Sequence, residues 1–281
     1  MCCSMRPARF EETIVYVGEV EHPVYGLVHT LGYQNSVVNL ATGPNAMILH
    51  IPAGVAMTQD NFIVTENCPR ILRDMVDALK PPVVPLGEPV YRTAIGAKSS
   101  PVHVFDHDIY TVVLSEDASL IPEALSRVPV EKRPAINQPL FDFYADEFPG
   151  WSVALCCFDN KQASQAAPMF MHYKPMDDGS MHWPSLDCHT GDVPDVNAMV
   201  AVDHWIIAGS HRMDPDGGVA VRYSGDCDPD VRAFLPNHVI GRHFKTMLHN
   251  GDFVIDPEDV ASGLANKIRR LPAPSSVAVS G

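Results

Sequence analysis

Between His182 and His211 the sequence runs HWPSLDCHTGDVPDVNAMVAVDHWIIAGSH. This window holds Asp187, Cys188, His189, Asp192, Asp195, Asp203, His204 and His211, a denser set of bases, ligands and thiols than any other stretch of the chain. Neighbouring Asp and His residues supply what general-base catalysis needs: a carboxylate that orients an imidazole, and an imidazole that takes a proton. Successive side chains of an extended segment point to opposite sides. Asp187 and His189 therefore share a side, which suits an orienter and its base, while Cys188 faces away from both. The structural alternative is an Asp–His turn pair whose carboxylate bonds local backbone. The Thr-Gly-Asp and Val-Pro-Asp pieces that follow are turn formers and specify the loop tightly.

Asp203 and His204 lie in AMVAVDHWIIAG, residues 198–209, a strand by composition. Alternation puts Val200, Val202, His204 and Ile206 on one face, and Met199, Ala201, Asp203, Trp205 and Ile207 on the other. Both faces are apolar apart from this pair, so the strand belongs in the middle of a sheet. An unpaired buried polar group costs ~1–3 kcal/mol, so each of the two needs a partner. Either they are satisfied core residues, or one reaches a pocket as base or ligand.

The window lacks a complete site, and its nucleophile must come from elsewhere. Cys2 is one candidate: removal of Met1 leaves an α-amine, pKa ~8, able to act as base for the Cys2 thiol. N-terminal nucleophile hydrolases use that arrangement, though there the nucleophile opens the first strand, and here SMRPARFEE intervenes. The plainer reading is a loose terminus with two incidental thiols. Cys188 is the second candidate, and a metal-activated water the third. His103, Asp106, His107 and Asp108 offer N and O ligands, as do Asp187, His189, Asp203 and His204. Neither set has the spacing of HExxH or an EF-hand loop, so a divalent metal is a compositional suggestion only. His29 and His50 sit on apolar strand faces as satisfied core histidines, and Cys156 and Cys157 as small buried hydrophobes.

The chemistry that fits this set is hydrolysis of an amide, other C–N or ester bond in a small-molecule substrate. Asp187 and His189 would form the base unit, Asp203 or His204 would support it, and Cys2, Cys188 or a metal-bound water would attack. The competing reading is a non-enzymatic ligand-binding or protein-interaction module in which the His and Asp residues are structural.

Acids outnumber bases 34 to 20, giving a formal charge of −14, which argues against nucleic acid and anionic membrane surfaces as partners. No apolar run reaches the ~18 residues that span a bilayer. The start, MCCSMRPARFEET, lacks a signal-peptide core, so the expected location is the cytoplasm and the seven cysteines are expected as thiols. Cys2-Cys3 and Cys156-Cys157 lack CxxC spacing, which removes structural zinc. No GxGxxG or GxxxxGK[ST] occurs, so nothing supports a nucleotide site.

The elements that must hold these residues are short, as 25 prolines would have it. Strands are predicted at 13–17, 24–33, 35–41 and 46–51 as a meander, with EVEHP turning the first hairpin. More follow at 102–114, broken at Asp106–Asp108, then at 151–158 as a buried central strand, at 169–173, at 219–223 returning on 198–209, and at 249–255. Helices are predicted over 67–79, capped by Asn67 or Cys68, then 115–128, 137–148, 228–235 and 256–271, the last with Ile268 and Leu271 inward and Arg269-Arg270 near its C-terminal end. The sum is an α+β protein of strand-rich mixed sheets with short capped helices packed on them in layers. It is expected as one globular domain over 1–271, with a boundary conceivable at the proline-rich 80–101 and a flexible tail at 272–281.

Overall fold

The computed structural model describes residues 3–39, 42–80, 101–159, 167–224 and 227–272. The β-branched and aromatic run Ile14–Val17 lies inside a long strand, β2 (Ala8–His22), which turns back into an equally long β3 (Gly26–Asn39). Two expectations change here. Residues 24–33 and 35–41 are not separate strands, and Glu19–His22 stays in β2 while the reversal falls at Pro23–Tyr25 and closes on Gly26 at φ 65°. The start of β2 escapes the pattern because a bulge between Glu11 and Ile14, with Glu12 at φ 50°, breaks the alternation.

The third strand at this level is β10 (Met199–Ser210), parallel to β2 on one side and antiparallel to β12 (His238–His249) on the other. It is central, as its two apolar faces require. With β8 (Met169–Tyr173) on β3 and the two-residue β11 (Val219–Ala220) on β12, the six-stranded sheet has the order β11-β12-β10-β2-β3-β8. Residues 219–223 thus do not return on 198–209. The strand beside β10 is β12, whose charged positions hid it.

The five-stranded sheet has the order β1 (Cys3–Ser4), β4 (Asn45–Ile51), β7 (Ser152–Phe158), β6 (Tyr110–Ser115), β5 (Val102–His107). β7 is central and buried throughout, as its unbroken apolar run predicts. β5 and β6 form a hairpin turned at Asp108 (φ 50°). A small third sheet orders β14 (Arg269–Pro272), β13 (Gly251–Ile255) and β9 (Met181–Trp183).

The two large sheets face each other. Val15, Val17, Leu31, Tyr33 and Ile206 from the six-stranded sheet join Met47, Leu49, Val112, Ala154 and Cys156 from the five-stranded one in a single core. The outer face of the five-stranded sheet is covered by α2 (Ile121–Ala124) and α3 (Gln138–Glu147), through Ile121, Leu140, Phe141 and Tyr144. α1 (Ile71–Leu79) and α4 (Pro229–Arg232) cover the other outer face. The fold is therefore α+β in four layers, each apolar face buried against another element at roughly 1.5–3 kcal/mol per large side chain.

α1 buries Ile71, Leu72, Met75 and Val76, the predicted stripe. Its start differs: neither Asn67 nor Cys68 caps it, and Arg70 at the N-cap instead sends its guanidinium forward to Asp74 and Asp77. The helix approaches the sheet closely because the strands beneath carry glycine. A Cβ at Gly32 would sit 2.7 Å from Leu72 Cδ2, and one at Gly241 would sit 2.7 Å from Leu79 Cδ1. Gly32→Ala is expected to cost ~1–3 kcal/mol by overpacking, seen as a lower urea midpoint at constant slope. An unchanged midpoint would mean that α1 lifts freely from the sheet.

Three helix predictions shorten. The 115–128 segment is α2 between two single turns, 118–120 and 125–127. The 228–235 segment keeps only the four residues of α4. The 256–271 segment is α5 (Pro257–Ala261), stopped by Gly263 at φ 75°, then one turn and β14. Arg269 and Arg270 lie on a strand rather than at a helix end, and Leu271 is exposed while Ile268 is buried. The boundary considered at 80–101 falls on residues 81–100, and the tail on 273–281, both outside the described residues. Strands from before and after that segment share both large sheets. Among the described residues no helix is long and apolar enough to cross a membrane.

Candidate functional site

The segment from Ser185 to Asp192 is a polar strap held from β13 and the residue before it. Asn250 donates to the Asp187 and Asp195 carbonyls at 2.9 and 3.1 Å and accepts from the Asp187 N–H at 2.8 Å. Asp252 accepts from the Ser185 and Leu186 N–H groups at 2.8 and 3.2 Å and lies 2.8 Å from His50 Nε2. Burial alone would raise the Asp252 carboxyl, but His50 and the N–H donor hold it below the usual carboxylate range. Arg270 donates to the His249 and Ser185 carbonyls. Its burial lowers the guanidinium to about 10, against the pull of Asp252 and Asp187.

Asp187 and His189 share a side, as alternation predicted, with Oδ1 and Nε2 3.3 Å apart. Burial pushes the Asp187 carboxyl up to about 6 and the His189 imidazole down to about 4. The His189 ring meets the Phe10 ring edge-on at 4.9 Å. At neutral pH this imidazole is uncharged and weakly basic, which suits packing better than proton abstraction. His204 is buried and held well below its ordinary value, first by burial and then by Arg270, His189 and His243 among others. Asp187, His189 and His204 thus occupy one neighbourhood.

Asp203 leaves it. On the opposite face of β10 it takes His243 Nε2 at 2.7 Å and Lys245 Nζ at 2.9 Å, half-exposed. Cys188 also turns away, into a parallel bridge with Cys3 whose Ser4 N–H donates to the Cys188 carbonyl at 2.9 Å. The Cys3 thiol, then Thr190 and the N–H groups of the 190–192 turn, bring the Cys188 thiol down to about 5 although burial raises it. The Asp192 carbonyl oxygen, 3.0 Å from Sγ, works the other way by accepting from the protonated thiol. Cys188 is buried, 9% exposed.

His103, Asp106 and His107 all lie on β5, on the other large sheet. Asp106 accepts from Thr111 Oγ1 at 2.6 Å, and His107 is buried against Phe62 with its imidazole lowered to about 4 by burial. Among the described residues no three His, Cys, Asp or Glu side chains are placed to hold a metal. Cys2 lies outside the described residues. His29 is buried against Tyr173, and His50 is a buried, hydrogen-bonded core histidine as expected, with Asp252 as its partner. The strap holders Asn250, Asp252 and Arg270 were missed. An acid inside the apolar alternation of GDFVI was the signal for Asp252.

A cleft of about 460 Å³ opens on the other face of β10, between α1 and β12. Arg73, Asp77, Lys80, Asp203, Trp205 and His243 line it among others. His243 stacks on Trp205 at 4.9 Å and 3°, with Lys80 Nζ 5.9 Å from the indole centre. Asp203 belongs to this solvent-facing charged cleft and not to the strap.

These features define a four-layer α+β sandwich with a buried polar strap and a charged cleft. No protein-family model matches the chain, and no curated protein matches it. Among solved structures it is similar to baculovirus P35, with 12% identity, a TM-score of 0.44 and coverage of 92% of both chains. It is also similar to two structures of a mutated baculovirus P35 after caspase cleavage. One, at 2.7 Å, shows 12% identity, a TM-score of 0.43 and coverage of 88% of this chain and 91% of that one. The other, at 3.1 Å, shows 13%, 0.42, 88% and 89%. The likeness is low in both sequence and geometry.

Proposed function

We propose that this protein is a protein-interaction module rather than a hydrolase of small molecules. The observation that carries this is the outer edge of β12. β11 pairs only with His238 and Val239, and Arg270 takes the His249 carbonyl, so among the described residues no strand pairs with Gly241–Leu248 on the side away from β10. An open edge of that length is a ready template for an added strand. It exposes Arg242, Lys245 and Met247, the lysine shared with Asp203, on a chain of net charge −14, and the two cationic side chains suit an acidic extended segment of a partner protein. The same charges also blunt the edge against self-pairing. The hydrolase reading loses its parts one by one: Asp203 faces away from the strap, the His189 imidazole is weakly basic, and Cys188 is enclosed.

The test uses a fluorescent synthetic peptide of alternating Val and Glu, followed by anisotropy, and a photo-crosslinking residue placed at Met247 or, as control, at exposed Val130. Binding is expected, weakening with salt and by about tenfold or more in Arg242→Glu/Lys245→Glu, with crosslinks from position 247 alone. No binding, or binding indifferent to both reversals, would overturn the proposal. In parallel, native protein treated with iodoacetamide at neutral pH is expected to leave Cys188 unlabelled. Rapid native labelling there would restore thiol chemistry.

A further inference from the structure

One thiol pair plays no part in the strap or the edge. Cys68 sits in the turn before α1, and Cys227 in the segment before α4. Their sulfurs are 2.6 Å apart, although 159 residues separate them in the chain. A disulfide requires about 2.05 Å, so closing the bond asks for a shift of about half an ångström. The segment before α4 also meets α1 directly and is braced against its own continuation. The Ser224 N–H reaches Asp74 Oδ2 of α1 at 3.4 Å, the Tyr223 hydroxyl donates to the Pro236 carbonyl at 3.0 Å, and Arg232 lies over the Tyr223 ring. Access differs between the two: Cys68 is fully buried and Cys227 is half-exposed.

We infer that Cys68 and Cys227 form a redox-responsive pair that small-molecule disulfides of the glutathione type convert to an intramolecular disulfide. The more accessible Cys227 loses its proton, and its thiolate attacks the small disulfide, forming a mixed disulfide and releasing one thiolate of the reagent. Cys68 then loses its proton and attacks the Cys227 sulfur, releasing the second. The protein loses two hydrogens, and the oxidant, one small disulfide, becomes two thiols. Burial first, and then the Cys68 thiol alongside, push the Cys227 thiol up to about 12. The first attack is therefore slow at neutral pH and quickens as pH rises. Once it has occurred the resolving sulfur is already in place, so the mixed disulfide should not accumulate. The bond would tie the start of α1 to the entry of α4, the two helices that cover the outer face of the six-stranded sheet.

The full chain is incubated in mixtures of reduced and oxidised glutathione, quenched by alkylation and mapped by peptide mass spectrometry. A peptide linked through Cys68 and Cys227, two hydrogens lighter than its parts, is the expected product, with a higher Tm for the oxidised than for the reduced protein. Cys227→Ser should abolish both the linked peptide and the Tm difference without unfolding the chain, since its side chain is half-exposed. Stable glutathionylation of Cys227 without the link would overturn the inference, as would no change at either cysteine, or a link between other cysteines that survives in Cys227→Ser.

Discussion

Lowering the pH from about 7 to about 4 is expected to destabilise this protein markedly. His107 and His189 are held neutral by burial, with imidazoles near 4. His204 lies well below its ordinary value for the same reason, and His29, His172 and His182 are shifted the same way. The unfolded chain takes up protons at ~6.5, where the folded one does not. The stability that a neutral buried histidine contributes is thus fully present above ~6.5 and lost as pH falls toward the folded value. For His107 and His189 that is on the order of 3 kcal/mol each. Asp187 opposes them. Its carboxyl, near 6 in the fold and ~3.9 unfolded, contributes stability that is present below ~4 and lost as pH rises through 6. It returns on the order of 3 kcal/mol over the same window, less than the histidines remove. Against a total of ~5–15 kcal/mol the net loss is large. Urea midpoints measured by circular dichroism from about pH 8 down to about pH 4 should fall steadily, and His107→Gln should flatten the slope. A flat or rising profile would contradict the neutral-histidine core.

Asp252→Ala should be the most damaging single substitution in the strap. It strips the acceptor from His50 and from the Ser185 and Leu186 N–H groups, all of them buried. Removing the acceptor leaves three buried donors unpaired at ~1–3 kcal/mol each before relaxation, so a loss of ~3–5 kcal/mol is expected. Asp252→Asn keeps the shape and one acceptor oxygen and should lose ~1–3 kcal/mol. Equilibrium urea unfolding gives the totals. Amide exchange locates the loss, since Ser185 and Leu186 should lose protection before the β-sheet core does. An Asp252→Ala variant within ~1 kcal/mol of the parent would show that water replaces the carboxylate at no great cost.

What the sequence made legible was periodicity. The central strands β7 and β10, the α1 stripe and the split of Asp203 from His204 all follow from counting side-chain directions. Where alternation failed, a local cause can be named. The bulge at Glu11–Ile14 hid the start of β2, and the polar Arg242, His243 and Lys245 kept β12 from reading as a strand. The 256–271 helix failed differently, because its spacing was compatible with a helix while Gly263 at φ 75° ended it after five residues. The candidate site was half legible. The shared side of Asp187 and His189 could be read from neighbours in sequence. Their anchoring by Asn250, Asp252 and Arg270, more than 60 residues away, has no local signature and comes from tertiary pairing.

The parallel register of β2 on β10 bears on how the chain reaches this fold. Val15 sits opposite Ile206 and Val17 opposite Ala208, a closure spanning some two-thirds of the polypeptide. β2 and β3 can zip together at once through their short turn, but the other edge of β2 stays bare until β10 emerges from the ribosome. Long-range closures of this kind slow folding, and a waiting apolar edge is where chains misassociate. The N-terminal hairpin is therefore the segment that a chaperone would have most reason to shield during synthesis, and its exposure time is set by the translation of the residues between.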